Sequence, residues 1–410
     1  MRDKKPVAIT GLGLMTALGI DLESSWKGLI AGENPVKYFT LFDPAGLPVK
    51  FGAELPKESE EIFKKFIKPR NREQMTRSTM IAISTAIMAL QNSGLDLLPV
   101  DKKRVGVVVG ATGTGYAPFP YPDKPDEYRI LKNMANSASS WISLKLKIEG
   151  PSFVVSTACS SGIYALFCGY TLIKSGICDV VIAGAAESCI NYLDVQGFSS
   201  LMALSEDEEN FKTASRPFDR KRNGFVIGEG GGMMVLESPE FAKSRNAKIL
   251  SHLYLPAITS EGYNILAPLP EGKGMAETMK LALKNANLQP KDIDYINAHG
   301  TSTQANDLYE TLAIKEVFGE CAKSIPVSST KSMTGHCLSG AAGVEAVICC
   351  KAIIEECIPP TINLSDPDPQ CNLDYVPNKA RKAKLKNVMC NSFAFGGHNG
   401  VAIFSKVEDE

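Results

Sequence analysis

The sequence has no long apolar run, almost no net charge and no secretory leader pattern. No stretch approaches the roughly 18 consecutive apolar residues that a membrane span needs. The first residues, MRDKKPVAITGLG, lack the apolar segment and the cleavage site of a secretory signal. The formal net charge of −1 provides no general attraction to nucleic acid or anionic lipid. These absences predict a cytoplasmic protein with neither a membrane span nor a nucleic-acid partner.

The eleven cysteines are odd in number and never form a C-x-x-C pair. This spacing argues against a disulfide framework and against a zinc site, so no metal ion is expected. Cys168, Cys349 and Cys350 lie in apolar runs, where cysteines usually pack as small hydrophobic residues. A reducing compartment fits this cysteine usage best.

The chain of 410 residues is long enough for two or three packing units, or for one large duplicated α/β domain. Apolar runs alternate with helical patterns, which predicts an α/β fold with a mostly parallel sheet. The predicted strands are 7–10, 105–111, 179–185, 231–237, 293–299, 325–328, 388–393 and 400–404. The predicted helices are 76–95, 161–176 and 339–356, and the polar stretches 112–130 and 203–223 are predicted to be surface or cavity-lining loops.

Similar motifs recur in the same order in the two halves of the chain. VGVVVGATGTG (105–115) resembles IDYINAHGTST (293–303), and TACSSG (157–162) resembles GHCLSG (335–340), each of the last two before an apolar helix. The repetition indicates duplication, with a half at 1–250 that carries Cys159 and a half at 251–410 that carries His299, His336 and Lys331. If the halves pack face to face, Cys159 faces the loops of the opposite half.

Cys159 lies in VVSTACSSG, where an apolar strand turns into a helix. A helix N-terminus supplies unpaired N–H groups and positive potential, both of which favour the reactive thiolate. The flanking residues are small, so a substrate can approach the sulfur closely. A single cysteine in an apolar setting is more often structural, and the turn alone leaves both interpretations open.

Two of the four histidines sharpen this choice. His299 follows an apolar strand, and His336 precedes a helix five residues after Lys331. Strand-end loops of this kind collect catalytic groups in α/β folds, and two imidazoles suit a site that stabilises a carbonyl oxygen as it becomes an enolate. Lys331 either keeps a histidine neutral or is a solvated surface lysine. His252 has no such context and is taken as structural, whereas the role of His398, in AFGGHNG, stays open.

At these residues the sequence resembles a known family. VVSTACSSG, RPFDRKRNGFVIGEG, NAHGTSTQAND, STKSMTGHCLSGAAG and NSFAFGGHN together resemble the β-ketoacyl-acyl-carrier-protein synthases of the synthase I/II type, in the thiolase superfamily. The likeness runs over nearly the whole chain. It implies a thiolase-like α/β fold with a duplicated, five-layered αβαβα architecture.

The resemblance also implies catalytic roles. Cys159 matches the nucleophile that takes the acyl chain as a thioester. His299 and His336 match the pair that binds the malonyl thioester and supports its decarboxylation to an enolate. Lys331 matches a lysine that orients the second of these histidines, His336, with Glu310 expected as its carboxylate partner.

Further roles concern the oxyanion and the substrate arm. The backbone N–H groups of Cys159 and Phe395 match an oxyanion hole, and Phe395 also matches a gating residue. Thr301 and Thr303 match threonines that bind phosphopantetheine. The resemblance implies a ping-pong acyltransferase without a cofactor, whose substrates are carried by acyl carrier protein. It also implies a homodimer, or a heterodimer with a subunit like a chain-length factor.

Several positions depart from the family pattern. His398 stands where threonine is usual, Asn223 where aspartate is usual, Leu266 replaces a threonine, and the stretch 115–137 is shorter than expected. These departures leave open the chain length and the choice between fatty-acid and polyketide or polyene elongation. A scaffold or chain-length-determining subunit is the alternative function. Such subunits typically lose the cysteine, and the retained Cys159 therefore favours an enzyme.

Overall fold

The structure is a computed structural model that describes residues 5–112 and 126–407. The described strands are β1 (Val7–Met15), β2 (Lys37–Tyr38), β3 (Phe51–Gly52), β4 (Val105–Gly110), β5 (Ser152–Val155), β6 (Val180–Ser188), β7 (Glu229–Glu237), β8 (Ser251–Leu253), β9 (Ala257–Ser260), β10 (Tyr295–Asn297), β11 (Val327–Ser328), β12 (Cys357–Ile358), β13 (Arg381–Lys382), β14 (Asn387–Ala394) and β15 (His398–Ser405). The described helices are α1 (Leu22–Ala31), α2 (Ser59–Phe66), α3 (Pro69–Arg72), α4 (Arg77–Ser93), α5 (Arg129–Asn133), α6 (Ser137–Leu146), α7 (Ser161–Lys174), α8 (Tyr192–Ser200), α9 (Pro239–Ser244), α10 (Lys273–Ala286), α11 (Gln304–Phe318), α12 (Lys331–Thr334) and α13 (Ala341–Glu355).

One large sheet contains the same strand order twice. The first half has the order β5-β4-β6-β7-β1 and the second has β11-β10-β14-β15-β8, with β9 alongside β15. In each half the first three strands are parallel and the next two pairings are antiparallel. An antiparallel pairing of β1 with β8 joins the halves. The repeated order confirms the duplication, and it corrects the expectation of a mostly parallel sheet, because the sheet is mixed.

Successive residues of a strand point to opposite faces of the sheet, and each face packs against its own layer of helices. Val108 packs with the inner helices α7 and α13, whereas Val107 and Val109 pack with α4 and α6. In the second half, Val388 faces the inner helices and Met389 faces α10 and α11. Each half of the large sheet forms one layer, so the order of layers is helix, sheet, helix, sheet, helix. This order confirms the five-layered αβαβα architecture.

The two inner helices begin side by side. A Cβ atom added at Gly162, at the start of α7, would lie 2.5 Å from the backbone nitrogen of Gly343 in the first turn of α13. No side chain fits in this space, so the small residues at both helix starts permit the close approach. As a result the turns that precede α7 and α13, one from each half, meet at the centre of the molecule.

The predicted helices are present, with ends set by ordinary capping. Thr76 accepts a hydrogen bond from the Thr79 N–H at the start of α4, and Gly94 ends the helix in the left-handed conformation. No helix in the described ranges is long and apolar enough to cross a membrane.

The two predicted loop stretches have different outcomes. The stretch 203–223 contributes to a cavity wall but also buries Ala214 and Phe218 completely, so it is partly core. Residues 113–125 lie outside the described residues. Most of the stretch 112–130 and half of the shortened stretch 115–137 fall there.

Candidate active site

Cys159 lies in the turn between β5 and α7, at the wall of a cavity of about 360 Å³. Ala158 before it has a φ of +48°, in the left-handed region that non-glycine residues rarely adopt. Cys159 is only 7% exposed, but its side chain reaches the cavity. The cavity also receives His299, His336, Thr301, Thr303 and Phe395.

His336 contacts Cys159 directly. Its Nε2 atom lies 3.2 Å from the Cys159 sulfur, while its Nδ1 atom accepts a hydrogen bond of 3.2 Å from the Leu338 N–H. A neutral imidazole has one donor and one acceptor nitrogen. Because Nδ1 is the acceptor, the proton of His336 is on Nε2 and points toward the sulfur.

His299 is held in the same tautomer by Lys331. The Lys331 Nζ atom lies 3.4 Å from His299 Nδ1 and donates to the His299 carbonyl oxygen at 2.6 Å. An ammonium group can only donate, so Nδ1 accepts and Nε2 carries the proton. The centroids of the two imidazole rings are 5.5 Å apart. The protein therefore presents two Nε2–H donors, one from each ring, next to one thiol.

This tautomer bears on metal binding. One ligand atom each from Cys159, His299 and His336 lies within 4.8 Å of the others, a spacing that a metal ion can bridge. A metal ligand must offer a lone pair, and the Nε2 atoms of both histidines are protonated. The arrangement suits hydrogen bonding to an oxygen atom better than metal coordination.

Burial sets the charge state of the three groups. Desolvation, together with the positive charge of Lys331, lowers the pKa of both His299 and His336 well below the ordinary value, so both rings are neutral at pH 7. Burial raises the pKa of the Cys159 thiol to about 11, although Lys331 and the backbone N–H groups of Cys159 and Phe395 act in the opposite direction. The helix terminus therefore does not make the resting sulfur a thiolate, contrary to the expectation from the sequence.

Lys331 is a buried residue, which rules out the solvated surface alternative, but its partners differ from those expected. It forms an ion pair with Glu345 rather than with Glu310, and its histidine is His299 rather than His336. Glu310 instead accepts hydrogen bonds of 2.8 Å from the backbone N–H groups of His299 and Gly300. The expected pairing was wrong because two buried carboxylates lie close to the histidines, and spacing in the sequence does not distinguish them.

The remaining expected residues also reach the cavity. Thr301 and Thr303 line it, with their hydroxyl groups 2.9 Å apart. Phe395 lines it too and follows β14, and the next two residues, Gly396 and Gly397, have φ values of +81° and +70°. The backbone N–H groups of Cys159 and Phe395 both lower the pKa of the Cys159 thiol, so both lie close to the sulfur.

The three single positions that depart from the family pattern have different surroundings. His398 stacks edge-on against Tyr164 at 6.0 Å, with its ring close to Gly396. Asn223 accepts a hydrogen bond of 2.7 Å from Ser205, and Leu266 lines the cavity. His252 lies in β8, away from the cavity lining.

Glu345 and Leu338 are the functional residues that the sequence interpretation missed. Glu345 is the one carboxylate among the first turns of α13 and is 1% exposed, so an acidic residue inside the apolar run AGVEAVICC was the available signal. Leu338 acts through its backbone N–H, which donates a hydrogen bond to the Nδ1 atom of His336. No side-chain pattern could have indicated this contact.

Comparison with known families gives two adjacent matches. Residues 4–242 match the model for the N-terminal domain of beta-ketoacyl synthase, and residues 252–365 match the model for its C-terminal domain. A protein of Synechocystis sp. named 3-oxoacyl-[acyl-carrier-protein] synthase 2 is 39% identical over 99% of both chains. A protein of the same name from Coxiella burnetii is 38% identical over 99% of this chain and all of the other.

Solved structures show the same similarity. The ishigamide ketosynthase/chain length factor superposes with a TM-score of 0.90 at 31% identity, covering 99% of this chain and all of the other. A type II polyketide ketosynthase, solved with its acyl-carrier protein and a bound hexaketide, superposes with a TM-score of 0.87 at 31% identity and the same coverage.

Proposed function

Because the chain belongs to the beta-ketoacyl synthase family, we propose that it condenses an acyl thioester with a malonyl thioester on acyl carrier protein. The products are a 3-oxoacyl thioester and carbon dioxide, which makes the protein an acyltransferase of fatty-acid or polyketide chain elongation. One observation carries the proposal. A thiol from one half of the fold and two Nε2–H donors from the other half meet in one cavity.

The first half-reaction forms the acyl-enzyme. The Cys159 sulfur attacks the thioester carbonyl, and the backbone N–H groups of Cys159 and Phe395 stabilise the oxyanion. The carrier sulfur leaves and takes up the proton that Cys159 gives up. Because the resting thiol is protonated, with a pKa of about 11, this proton transfer is part of the step.

The second half-reaction builds the carbon–carbon bond. The malonyl carboxylate leaves as carbon dioxide, and its bonding electrons form an enolate whose oxygen accepts hydrogen bonds from His299 and His336. The enolate carbon attacks the acyl carbonyl on Cys159, and the sulfur then leaves as a thiolate and takes up a proton from solvent. Two neutral donors in a buried site stabilise the developing charge without transferring a proton to the enolate.

Lys331 and Glu345 support this step through their contacts with His299 and with each other. The ammonium of Lys331 keeps the His299 proton on Nε2 and lowers the pKa of that ring, while the carboxylate of Glu345 compensates the buried charge. Glu310 fixes the backbone of His299. The cycle as proposed uses only side chains, backbone amides and the substrate's own arm, with no bound cofactor.

Acyl carrier protein is the proposed partner, and phosphopantetheine the proposed arm. Thr301 and Thr303 lie along the cavity and supply hydroxyl groups at a position where an extended amide chain would pass. The names of the curated relatives and the carrier-bound neighbour support this assignment. We place the reaction in the cytoplasm.

We also propose a dimer, formed by a second copy or by a related chain-length-factor subunit. Strand β5 is an outer strand of the large sheet, and within the described part of the chain it pairs only with β4. Its residue Ser152 is exposed, and Phe153 is only partly buried. An open edge strand is a ready site for pairing with another chain. Light scattering of the purified protein at about micromolar concentration tests this, because a monomeric mass contradicts the homodimer.

A product assay tests the function. The purified protein is incubated with acyl- and malonyl-loaded carrier protein, and the 3-oxoacyl carrier and carbon dioxide are quantified by mass spectrometry and isotope release. Equal amounts of both products support the proposal. Carbon dioxide without any condensation product, in the presence of an acyl-enzyme, favours the alternative of a chain-length-determining scaffold. Varying the acyl chain length in the same assay distinguishes fatty-acid from polyketide use.

A further inference from the structure

A second cavity lies in the outer helical layer, outside the catalytic site. It is enclosed by α2, α3, α4 and α6 and has a volume of about 270 Å³. None of the residues that line it also lines the catalytic cavity. Pockets that bind small molecules usually measure about 300 Å³ or more. The second cavity is therefore just large enough for a small ligand, and the mechanism proposed above does not use it.

The floor of this cavity is apolar. Phe66, Met75 and Ile83 line it and belong to the core beneath the outer helices, each with at most 8% of its surface exposed. Trp141 is partly buried against the same core, whereas Leu144 is 69% exposed and lies at the edge of the cavity. A ligand gains free energy by placing an aliphatic group against such a floor.

The polar residues of the cavity wall bear positive charge or a neutral amide. They are Lys68, Asn71 and Lys145, and the wall contains no acidic residue. Both lysines are exposed, and within residues 5–112 and 126–407 neither ammonium group has an ion-pair partner. Lys64 on the neighbouring helix α2, in contrast, is paired with Glu61 at 2.6 Å. The opening of the cavity therefore has two uncompensated positive charges.

A third cation lies close to this opening. Arg72 follows Asn71 in α3, and its Nε atom is buried without a hydrogen-bond partner in the described part of the chain. A buried cationic N–H group that makes no hydrogen bond is costly. The three cations together produce a positive potential at the cavity, although the whole chain has a formal net charge of only −1.

We propose that the second cavity binds an amphipathic anion. Its alkyl chain lies against Trp141 and Met75, and its head group, a carboxylate or a phosphate, accepts hydrogen bonds from the ammonium groups of Lys68 and Lys145. An apolar floor without the lysines would take a neutral alkyl chain equally well, and the lysines without the floor would hold only a hydrated ion. Binding at this site does not involve Cys159, so the proposal stands independently of the proposed condensation.

Tryptophan fluorescence gives a direct test, because the chain contains only two tryptophans. Trp141 lines the cavity, whereas Trp26 is 8% exposed and packs in the inner core. The purified protein is titrated with decanoate, decyl phosphate and decan-1-ol. At least one of the two anions should produce a saturable change in emission that is absent in Trp141→Phe, and the tighter one identifies the head group. The neutral alcohol should bind at least about threefold more weakly.

Three lysine substitutions separate the cavity from nonspecific binding. Lys68→Met and Lys145→Met should each raise the Kd of the preferred anion by about two- to fivefold. Lys64→Met is the matched control, since Lys64 is exposed but does not line the cavity, and it should leave the Kd unchanged. The proposal is overturned by no saturable change with either anion, by equal Kd values for the anions and the alcohol, or by a change that persists in Trp141→Phe. Equal effects of all three lysine substitutions would also overturn it.

Discussion

The two halves of the fold build their central turns from similar sequences and use them differently. Cys159 in TACSSG and Cys337 in GHCLSG occupy the same place in the two motifs, two residues before α7 and four residues before α13. The Cys159 sulfur reaches the cavity and His336, whereas the Cys337 sulfur points to the Thr334 carbonyl oxygen at 3.9 Å, and Cys337 is 1% exposed. Burial raises the pKa of both thiols, and further for Cys337. Each turn has one residue with a φ of +48°, Ala158 before its cysteine and Leu338 after its own.

The difference teaches how a duplicated fold can build one asymmetric site. The first turn supplies the nucleophile, and the second supplies the histidine, with Leu338 fixing the tautomer of its ring. Neither turn holds both groups. The chemistry depends on the close approach of the two helix starts at Gly162 and Gly343.

The largest expected effect comes from replacing each of the two cysteines with alanine in turn. Cys159→Ala should lower condensation by at least about a thousandfold, because it removes the only attacking group. Cys337→Ala should keep activity within a few-fold and cost about 1 kcal/mol of unfolding free energy. Product formation and chemical denaturation measure the two effects. Loss of activity in both variants to the same extent would contradict the division of roles.

His299→Ala should separate the two half-reactions. Removing one donor to the enolate should lower carbon dioxide release from malonyl carrier by about 10²- to 10³-fold. Acylation of Cys159 should continue, because the imidazole that contacts the Cys159 sulfur belongs to His336 and not to His299. Isotope release and intact mass follow the two steps. Equal losses in both would show that His299 acts on the thiol.

Glu345→Ala should destabilise the second half. It leaves the Lys331 ammonium buried with no carboxylate partner, which costs about 3–5 kcal/mol in comparable buried pairs. Glu355→Ala, on the same helix but with its carboxylate 42% exposed against Lys351, should cost less than about 1 kcal/mol. Urea denaturation of both variants gives the comparison. Similar costs for the two would mean that the Lys331 pair contributes no more than a surface pair.

The pH dependence of alkylation tests the resting state of Cys159. With a pKa of about 11, the thiolate fraction and hence the iodoacetamide rate should rise about tenfold per unit between about pH 7 and 9. Lys331→Met should slow alkylation, since the ammonium lowers the pKa of the thiol. Peptide mass spectrometry follows Cys159 and uses unreacted Cys337 as the internal reference. A plateau near pH 8 would show that the resting sulfur is already a thiolate.

Much of the fold followed from periodicity. The continuous apolar runs at β4, β6 and β14 indicated strands covered on both faces, and the repeated motifs indicated the duplication. The direction of the strands was harder to predict from the sequence. Strands β14 and β15 are antiparallel because the short turn at 395–397 joins them directly, but β6 and β7 are also antiparallel across a connection of about forty residues, which no local pattern reveals.

For the site, residue types were easier to predict than contacts. Cys159, His299, His336 and Lys331 stand in recognisable motifs, and the structure brings them together. The partners of Lys331 depend on which face of α11 and α13 points inward, and both helices carry a buried carboxylate. Tautomer and charge state depend on burial and on single backbone N–H groups, which a sequence does not display.

The most direct test of the central claim is a two-step mass measurement on one sample of enzyme. After exposure to acyl carrier protein, the intact mass should increase by one acyl group that maps to Cys159. On addition of malonyl carrier protein, the adduct should disappear while 3-oxoacyl carrier accumulates in equal amount. An adduct that persists after malonyl carrier is added, or one that maps to Cys337, would contradict the account.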